Sequence, residues 1–374
     1  MVVEIKGVGT RNKGAHLLLL AILQEFSRRN IKVEFCAAPG FGMDFFAAAK
    51  HGMKLKLDIH AKRLPWNKIF SLIPAKTRSA YGLVLDKEID VVLDASGFAY
   101  GDFWGYKNPL RRLNNVLNGS LTPQAKKILL PQALGPFNDP KVRTSFQSVV
   151  NKVDCIFARD EQSLAYLNEN FAANSKFFLA PDFTNLLEVE DAQTYAEGDV
   201  CIIPNYKMNA EGYESYFNFL RDSISSLNKL GKRPYFLIHE GEKDKAIATQ
   251  INGDLGMDLP IVMEEDPLVI KRRIKSSDLV IVSRFHGLVS ALCQGIPVVS
   301  TSWSHKYQML LKDYHQLDAL VDINTYEKDA LEQLIRSKFN LPKDEYYILQ
   351  KEHIVKQKER SKAMWDQVFS LING

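Results

Sequence analysis

Leu279-Val280-Ile281-Val282-Ser283-Arg284-Phe285-His286-Gly287-Leu288-Val289-Ser290-Ala291-Leu292 is the stretch on which the fold is decided. A short run of β-branched and apolar residues reads as a buried strand. Its end delivers Ser283, Arg284 and His286 onto a tight turn, and a helix of small and apolar residues, 287–294, follows at Gly287. A buried strand feeding a helix in this way is the repeating unit of a parallel sheet covered by helices.

The same alternation extends in both directions. Strands are predicted near 2–8, 32–37, 89–94, 127–131 and 153–158, then near 199–204, 234–239, 278–282 and 297–300. The clearest helices are 14–28, 140–151, 160–170, 213–230, 242–252, 266–275, 287–294 and 344–371. Five strands form one half and four the other. The acidic, strand-poor stretch 185–198 parts them, so the expected domains are 1–190 and 191–374, each Rossmann-like, with the last helix 344–371 able to pack back on the first. A chain of 374 residues is long enough for two such cores.

Composition excludes several classes. The chain is 46% hydrophobic and 25% charged with a formal charge of +4, which is ordinary globular composition without the basic stripe of a nucleic-acid-binding protein. Cys36, Cys155, Cys201 and Cys293 are far apart and mostly within apolar runs. They read as buried thiols, and neither a disulfide frame nor a metal site is expected. The first strand is predicted to begin at Val2, so no signal peptide is expected, and no apolar run approaches the length of a membrane span. A cytoplasmic protein is expected, able to rest at the inner face of the membrane.

In open parallel sheets, ligands collect where loops leave the carboxyl ends of strands. Four such loops stand out. The first, Gly7 to Gly14, contains Asn12, Lys13 and Gly14 but matches neither a phosphate-binding Walker loop nor the dinucleotide fingerprint. The second, Ser96 to Gly105, interleaves aromatic residues with Ser96, Gly97 and acids, a surface suited to a sugar ring or to simple packing. The third, Pro131 to Pro136, contains Gln132. The fourth is Ser283 to Gly287, where Arg284 and His286, two apart in an extended segment, share a side: a cationic fork beside a titratable imidazole. Arg159 stands at the end of strand 153–158, either paired with Asp160 or pointing out as an anion-binding fork. His305 and Lys306 add donors where Ser302-Trp303-Ser304-His305-Lys306 opens another helix after strand 297–300.

With these residues in view, the chain resembles the polysaccharide pyruvyl transferase family, whose members are similar in fold to the two-domain GT-B glycosyltransferases. The resemblance runs from Asn12-Lys13-Gly14 through Pro131-Gln132-Ala133-Leu134-Gly135-Pro136 and Ala158-Arg159-Asp160 to Ser283-Arg284-Phe285-His286-Gly287 and Ser304-His305-Lys306-Tyr307. It departs at Ala15-His16, where many relatives carry Asp, so no carboxylate role is assigned there. The resemblance implies a GT-B-like α/β fold with a cleft between its domains, the acceptor on the first and the donor on the second. It implies phosphoenolpyruvate as co-substrate with no further cofactor, and a saccharide acceptor, free or lipid-linked. The product is then a pyruvate ketal on two sugar hydroxyls, with phosphate released. His286 and Arg284 are the catalytic candidates, and Arg159, Arg284, Ser283, Gly287, His305 and Lys306 the donor-binding ones. Asn12, Lys13, Gly14, Ser96, Gly97 and Gln132 are acceptor or loop candidates.

Two other readings compete. A glycosyltransferase using a nucleotide sugar would carry a Glu seven residues before Pro297 to bind ribose, where this chain has Ser290. A non-catalytic saccharide-binding protein would make the Arg-x-His turn a coincidence. Separately, residues 50–78 hold eight Lys or Arg against the single acid Asp58, together with Leu64, Trp66, Ile69, Phe70, Leu72 and Ile73. Such a segment suits an anionic membrane, or else forms a solvated surface.

Overall fold

The computed structural model describes residues 1–40, 42–57, 70–172, 174–190 and 195–374. Contacts divide the chain into two units, Met1–Phe183 with Ser361–Gly374, and Thr184–Arg360. Each is built on its own parallel sheet.

In the second unit, β10 (Val200–Ile203), β11 (Pro234–Ile238), β12 (Ile261–Met263), β13 (Leu279–Val282) and β14 (Val298–Ser300) run in the order β12-β11-β10-β13-β14, all parallel. Successive residues of β13 go to opposite faces, and both faces are buried. Leu279 and Ile281 join one apolar cluster with Val200, Ile202 and Phe236; Val280 and Val282 join the other with Cys201, Ile203 and Leu237. That double burial is why these strands are continuous apolar runs, without the polar alternation of a half-exposed sheet. The strand order reverses between β10 and β13, and that crossing point is where an open sheet offers a crevice beyond its carboxyl ends.

In the first unit, the described strands are β1 (Val2–Lys6), β2 (Glu34–Ala37), β3 (Lys54–Lys56), β4 (Leu83–Val84), β5 (Val91–Asp94), β6 (Phe98–Tyr100), β7 (Lys126–Leu134), β8 (Cys155–Ala158) and β9 (Phe177–Leu179). They are ordered β4-β3-β2-β1-β5-β7-β8-β9, with β6 added to the far end of β7. The reversal here lies between β1 and β5. Gly7, just past β1, has φ +75°, and a Cβ there would fall 2.4 Å from the Ser96 Cα, so only glycine lets these two loops pass. Capping sets where the helices start: Asn12 accepts from the Ala15 N–H at 3.0 Å, and Asp139 and Asp266 cap helices that open on Pro140 and Pro267. The long C-terminal helix Lys343–Asn373 ends within this unit, where Phe369 packs on Phe26 at 4.8 Å between ring centroids and Asp366 pairs with Arg29 at 2.7 Å.

All nine strands expected from the sequence are present. Five more, β3, β4, β6, β9 and β12, have only two or three residues each, too few to show a period. Two boundaries are corrected. The segment Pro131–Pro136 is no loop at its start, because β7 continues through Pro131 to Leu134; the missing N–H is absorbed where the pairing with β8 shifts register between Leu129 and Gln132. The helix expected at 287–294 spans Phe285–Leu292, two residues earlier. The four cysteines are free and buried, and burial pushes the Cys155 and Cys201 thiols up to about 12, so neither is poised as a thiolate nucleophile. No described helix is long and apolar enough to cross a membrane.

Candidate functional site

The carboxyl ends of β10, β11, β13 and β14 gather a polar cluster in the second unit. Ser283 is fully engaged. Its N–H donates to the Ile203 carbonyl at 3.0 Å, its carbonyl accepts from Asn205 Nδ2 at 2.8 Å and Tyr307 Oη at 3.0 Å, and its hydroxyl accepts from Tyr216 Oη at 2.9 Å and Thr301 Oγ1 at 2.8 Å. Ser283 is thus a structural keystone of the turn. Burial pushes the Tyr216 and Tyr307 phenols above their ordinary range, so both remain neutral donors.

Arg284 follows as the N-cap residue of the helix Phe285–Leu292, in extended conformation. Its guanidinium turns toward the segment after β11: Nε and Nη2 donate to Asp244 at 2.8 and 2.6 Å, and Nη1 donates to Glu240. Burial opposes the charge, but Asp244 and Glu240 outweigh it and hold the group firmly protonated. His286 lies in the second helical position and is half-buried. The extended spacing assumed for Arg284 and His286 is therefore corrected, since the chain turns helical between them. Gly287 serves close packing: a Cβ would lie 3.1 Å from both Ile203 Cδ1 and Val282 Cγ2, seating the helix on the sheet. His305 and Lys306 open the helix His305–Asp313, and Lys306 is buried with its ammonium 4.3 Å from the Trp303 ring centre.

In the first unit, the buried Asp94 at the end of β5 organises a second cluster. It accepts from Ser96 Oγ at 2.5 Å, Tyr100 Oη at 2.6 Å and Gln132 Nε2 at 3.1 Å. Arg112 donates to Ser96 Oγ at 3.3 Å. Arg159, buried at the end of β8, pairs with the buried Asp182 at 3.1 Å, while Asp160 instead caps its helix by accepting from the Ser163 N–H at 2.7 Å. Gly97 stands beside Arg159, a Cβ there lying 3.8 Å from Nη1. Ser96, Gly97, Gln132 and Arg159 therefore form one neighbourhood. Lys13 and Gly14 begin the helix Lys13–Arg28 that Asn12 caps, and on it His16 Nε2 lies 3.1 Å from His51 Nε2.

Residues 12–305 match the family described as polysaccharide pyruvyl transferase. The chain belongs to that family. No curated protein matches the chain. Among solved structures, a UDP-GlcNAc 2-epimerase from Neisseria meningitidis is similar with a TM-score of 0.61 at 12% identity, covering 99% of each chain. The corresponding epimerase from Methanocaldococcus jannaschii gives 0.59 at 14% identity, covering 99% of this chain and 100% of that one. A glycosyltransferase from Rickettsia africae gives 0.58 at 11% identity, covering 99% and 98%. At such identities the likeness shows the fold alone, which is GT-B-like.

Within this pyruvyl transferase family member, several residues of the two clusters were not singled out by sequence reasoning. Asn205 and Lys207 directly follow a predicted strand, so the rule that selected the other loops would have found them. Glu240 and Asp94, at the ends of the predicted strands 234–239 and 89–94, fall under the same rule; Asp244 and Asp182 lacked such a signal, because their importance comes from the arginines that folding places against them. Among the described residues no cluster of three or more His, Cys, Asp or Glu side chains is arranged to hold a metal ion.

Proposed function

We propose that this protein transfers the pyruvyl group of phosphoenolpyruvate to two hydroxyls of a sugar in a polysaccharide or lipid-linked saccharide, forming a cyclic ketal and releasing phosphate. Membership of the family supports this reading. The observation that carries it is the collection of Lys207, Arg284, His286, His305 and Lys306 at the carboxyl ends of β10, β13 and β14, beside the point where the sheet reverses. A compact anion carrying a carboxylate and a phosphate needs mainly cations and amide donors, and these residue types supply them.

In the chemistry we propose, His286 gives its proton to the methylene carbon of the donor. The adjacent carbon becomes electrophilic and takes the first sugar oxygen, whose proton passes to the imidazole that has just given one up. The second sugar oxygen then displaces phosphate, which leaves with the proton of that hydroxyl, and a methyl and a carboxylate remain on the ketal carbon. Fixed positive charge favours departure of the anion. Arg284, anchored by Asp244 and Glu240, sets the field around that step. Arg159, next to Gly97 in the first unit, is proposed as a second anion-binding group, and Ser96 and Gln132 as acceptor-side contacts.

The donor can be tested before any acceptor is known. Millimolar phosphoenolpyruvate is expected to raise the melting temperature by mass action, less so in Arg284→Lys, which keeps charge but loses the fork. A panel of nucleotide sugars is expected to have little effect. Ser290, buried in the helix Phe285–Leu292, offers no carboxylate for a ribose. Stabilisation by a nucleotide sugar, with none by phosphoenolpyruvate, would replace this reading with glycosyl transfer.

We also propose that the first unit rests on anionic membrane. Residues 58–69 of the stretch 50–78 lie outside the described residues. Beside them, Phe46 is 80% exposed, Leu72 82% and Tyr81 69%, with the exposed lysines Lys50 and Lys76 nearby in sequence. Part of the basic character faces elsewhere: Lys56 is buried against Glu4, Arg78 is buried against Glu88, and Lys54 pairs with Glu34. Co-sedimentation with phosphatidylglycerol vesicles at low salt is expected, falling as salt rises. Absence of binding at low salt ends this proposal.

A further inference from the structure

One buried carboxylate collects the hydrogen-bond donors of its loop. Asp94, fully enclosed at the end of β5, accepts from the Ser96 hydroxyl at 2.5 Å and from the Ser96 N–H at 3.2 Å. It also accepts from Tyr100 Oη at 2.6 Å and from Gln132 Nε2 at 3.1 Å. Burial, and secondly the Asp94 charge, push the Tyr100 phenol well above its ordinary range, so it stays a donor.

The consequence for Ser96 and Gln132 is one of polarity. A serine hydroxyl has a single proton, and here it goes to Asp94 Oδ1. The Gln132 amide is oriented by two acceptors, because Nε2 lies 3.1 Å from both the Asp94 carbonyl and Asp94 Oδ2, a pair that only an N–H can face. Oε1 is then left over; it is enclosed and makes no hydrogen bond among the described residues. Ser96 is half-buried, and Arg112 Nη1 approaches its oxygen only at 3.3 Å, a long contact on a hydroxyl that can accept twice. Both side chains thus present oxygen acceptors. A buried acceptor without a partner is costly, and native proteins keep one where water or a ligand completes it. The place is also one where ligands collect. Asp94 and Ser96 end the strand next to β1, where the strand order reverses, and Gly7 beyond β1 passes so close that a Cβ would fall 2.3 Å from Ser96 Oγ.

We infer that Asp94 is a positioning residue that makes Ser96 and Gln132 a pair of acceptors for sugar hydroxyls. On the pyruvyl-transfer reading, on which this rests, the cluster holds the acceptor sugar. Every hydroxyl of a pyranose can donate, whereas a phosphate or carboxylate brings chiefly acceptors and would set oxygen against oxygen. A hydroxyl that donates to Ser96 Oγ has its own lone pairs turned away from the serine and open to bonding with carbon. The register of the ring against Ser96 therefore selects which hydroxyls become the ketal.

The test uses the full chain with phosphoenolpyruvate and a panel of methyl hexopyranosides with their monodeoxy analogues, read as ketal formed. In Ser96→Ala the acceptor KM is expected to rise about three- to tenfold, the scale of one lost hydrogen bond, with the KM for phosphoenolpyruvate unchanged. Asp94→Asn, whose amide must turn a donor toward one of its neighbours, should raise the acceptor KM at least as far. One monodeoxy acceptor should bind more weakly to the wild type and lose nothing further in Ser96→Ala, a coupling that a merely structural serine would not show. Where Asp94→Asn fails to fold, Ser96→Ala and the deoxy series decide alone. Wild-type acceptor KM in Ser96→Ala, or the same deoxy losses in variant and wild type, overturns the inference while leaving pyruvyl transfer intact. In a protein that forms no ketal, saturation-transfer NMR with the same pyranosides takes over. Binding that weakens in Ser96→Ala keeps the hydroxyl-receiving pair and removes the pyruvyl-transfer reading; absent or unaltered binding removes both.

Discussion

His286→Gln is expected to lower pyruvyl transfer by about two orders of magnitude or more, the size of contribution made by a positioned general acid. Glutamine has similar bulk and keeps an N–H donor, so the helix Phe285–Leu292 should form and its seat on β10 and β13 should survive. What it cannot do is deliver a proton to carbon. The loss is therefore expected in kcat, with the thermal stabilisation by phosphoenolpyruvate largely retained. Because Ser283, Asn205, Tyr216 and Tyr307 fix the turn through hydrogen bonds that do not involve the imidazole, the variant isolates chemistry from architecture. Wild-type turnover in His286→Gln would remove this residue from the mechanism and move the search for the acid to His305 or His239. Single-turnover measurement with saturating donor separates a slow chemical step from slow product release.

Glu4→Gln is expected to destabilise the first unit by about 3–5 kcal/mol, the cost of breaking a buried ion pair from one side. Glu4 lies on the central strand β1, fully buried, with Lys56 at 2.8 Å, Lys6 at 3.0 Å and Asn115 Nδ2 at 2.7 Å. Lys56 is itself 3% exposed and reaches Asp86 at 3.3 Å, so loss of the Glu4 charge takes from a buried ammonium the nearer of the two acids that the described residues place against it. Burial acts to raise the Glu4 pKa, but Lys6 and Lys56, with hydrogen bonds from Lys56 and Asn115, bring it down from 4.5 to about 2. A carboxyl whose folded pKa is depressed stabilises the fold fully above its unfolded value, and that stabilisation is lost as pH falls through the folded one. The wild type should accordingly lose stability between about pH 4.5 and 2, and Glu4→Gln should show a flatter profile there. Urea unfolding followed across that range checks both statements. A loss below about 1 kcal/mol, typical of exposed pairs, would mean that water reaches the cluster.

The two predictions draw on different kinds of knowledge. His286 could be chosen from the chain alone, since a buried strand ending in Ser-Arg-x-His-Gly marks a strand-end loop wherever the strand lies in the sheet. Glu4 could not, because a single acid in a predicted strand gives no sign of Lys56 and Asn115 folding onto it.

Local order determined most of what the sequence shows by itself. Double burial makes the central strands apolar throughout, so nine strands and the parallel α/β class are legible residue by residue, as is the placing of Arg159 and of Ser283 to Gly287 at strand ends. Short strands such as Leu83–Val84 escape, because two residues carry no period and are strands only by virtue of their neighbours. The start of the helix at Phe285 was equally hidden, since Phe-His can continue a strand or begin a turn. Tertiary structure alone decided what each charged group does. Arg159 reaches Asp182, 23 residues on, because β8 and β9 are adjacent; Arg284 reaches Asp244, 40 residues back, through the segment after β11; and Lys207 and Lys306 both reach Trp303 because their loops leave the same edge of one sheet. Sheet order sets those partners, and sheet order is fixed by burial summed over whole strands, which no single residue records.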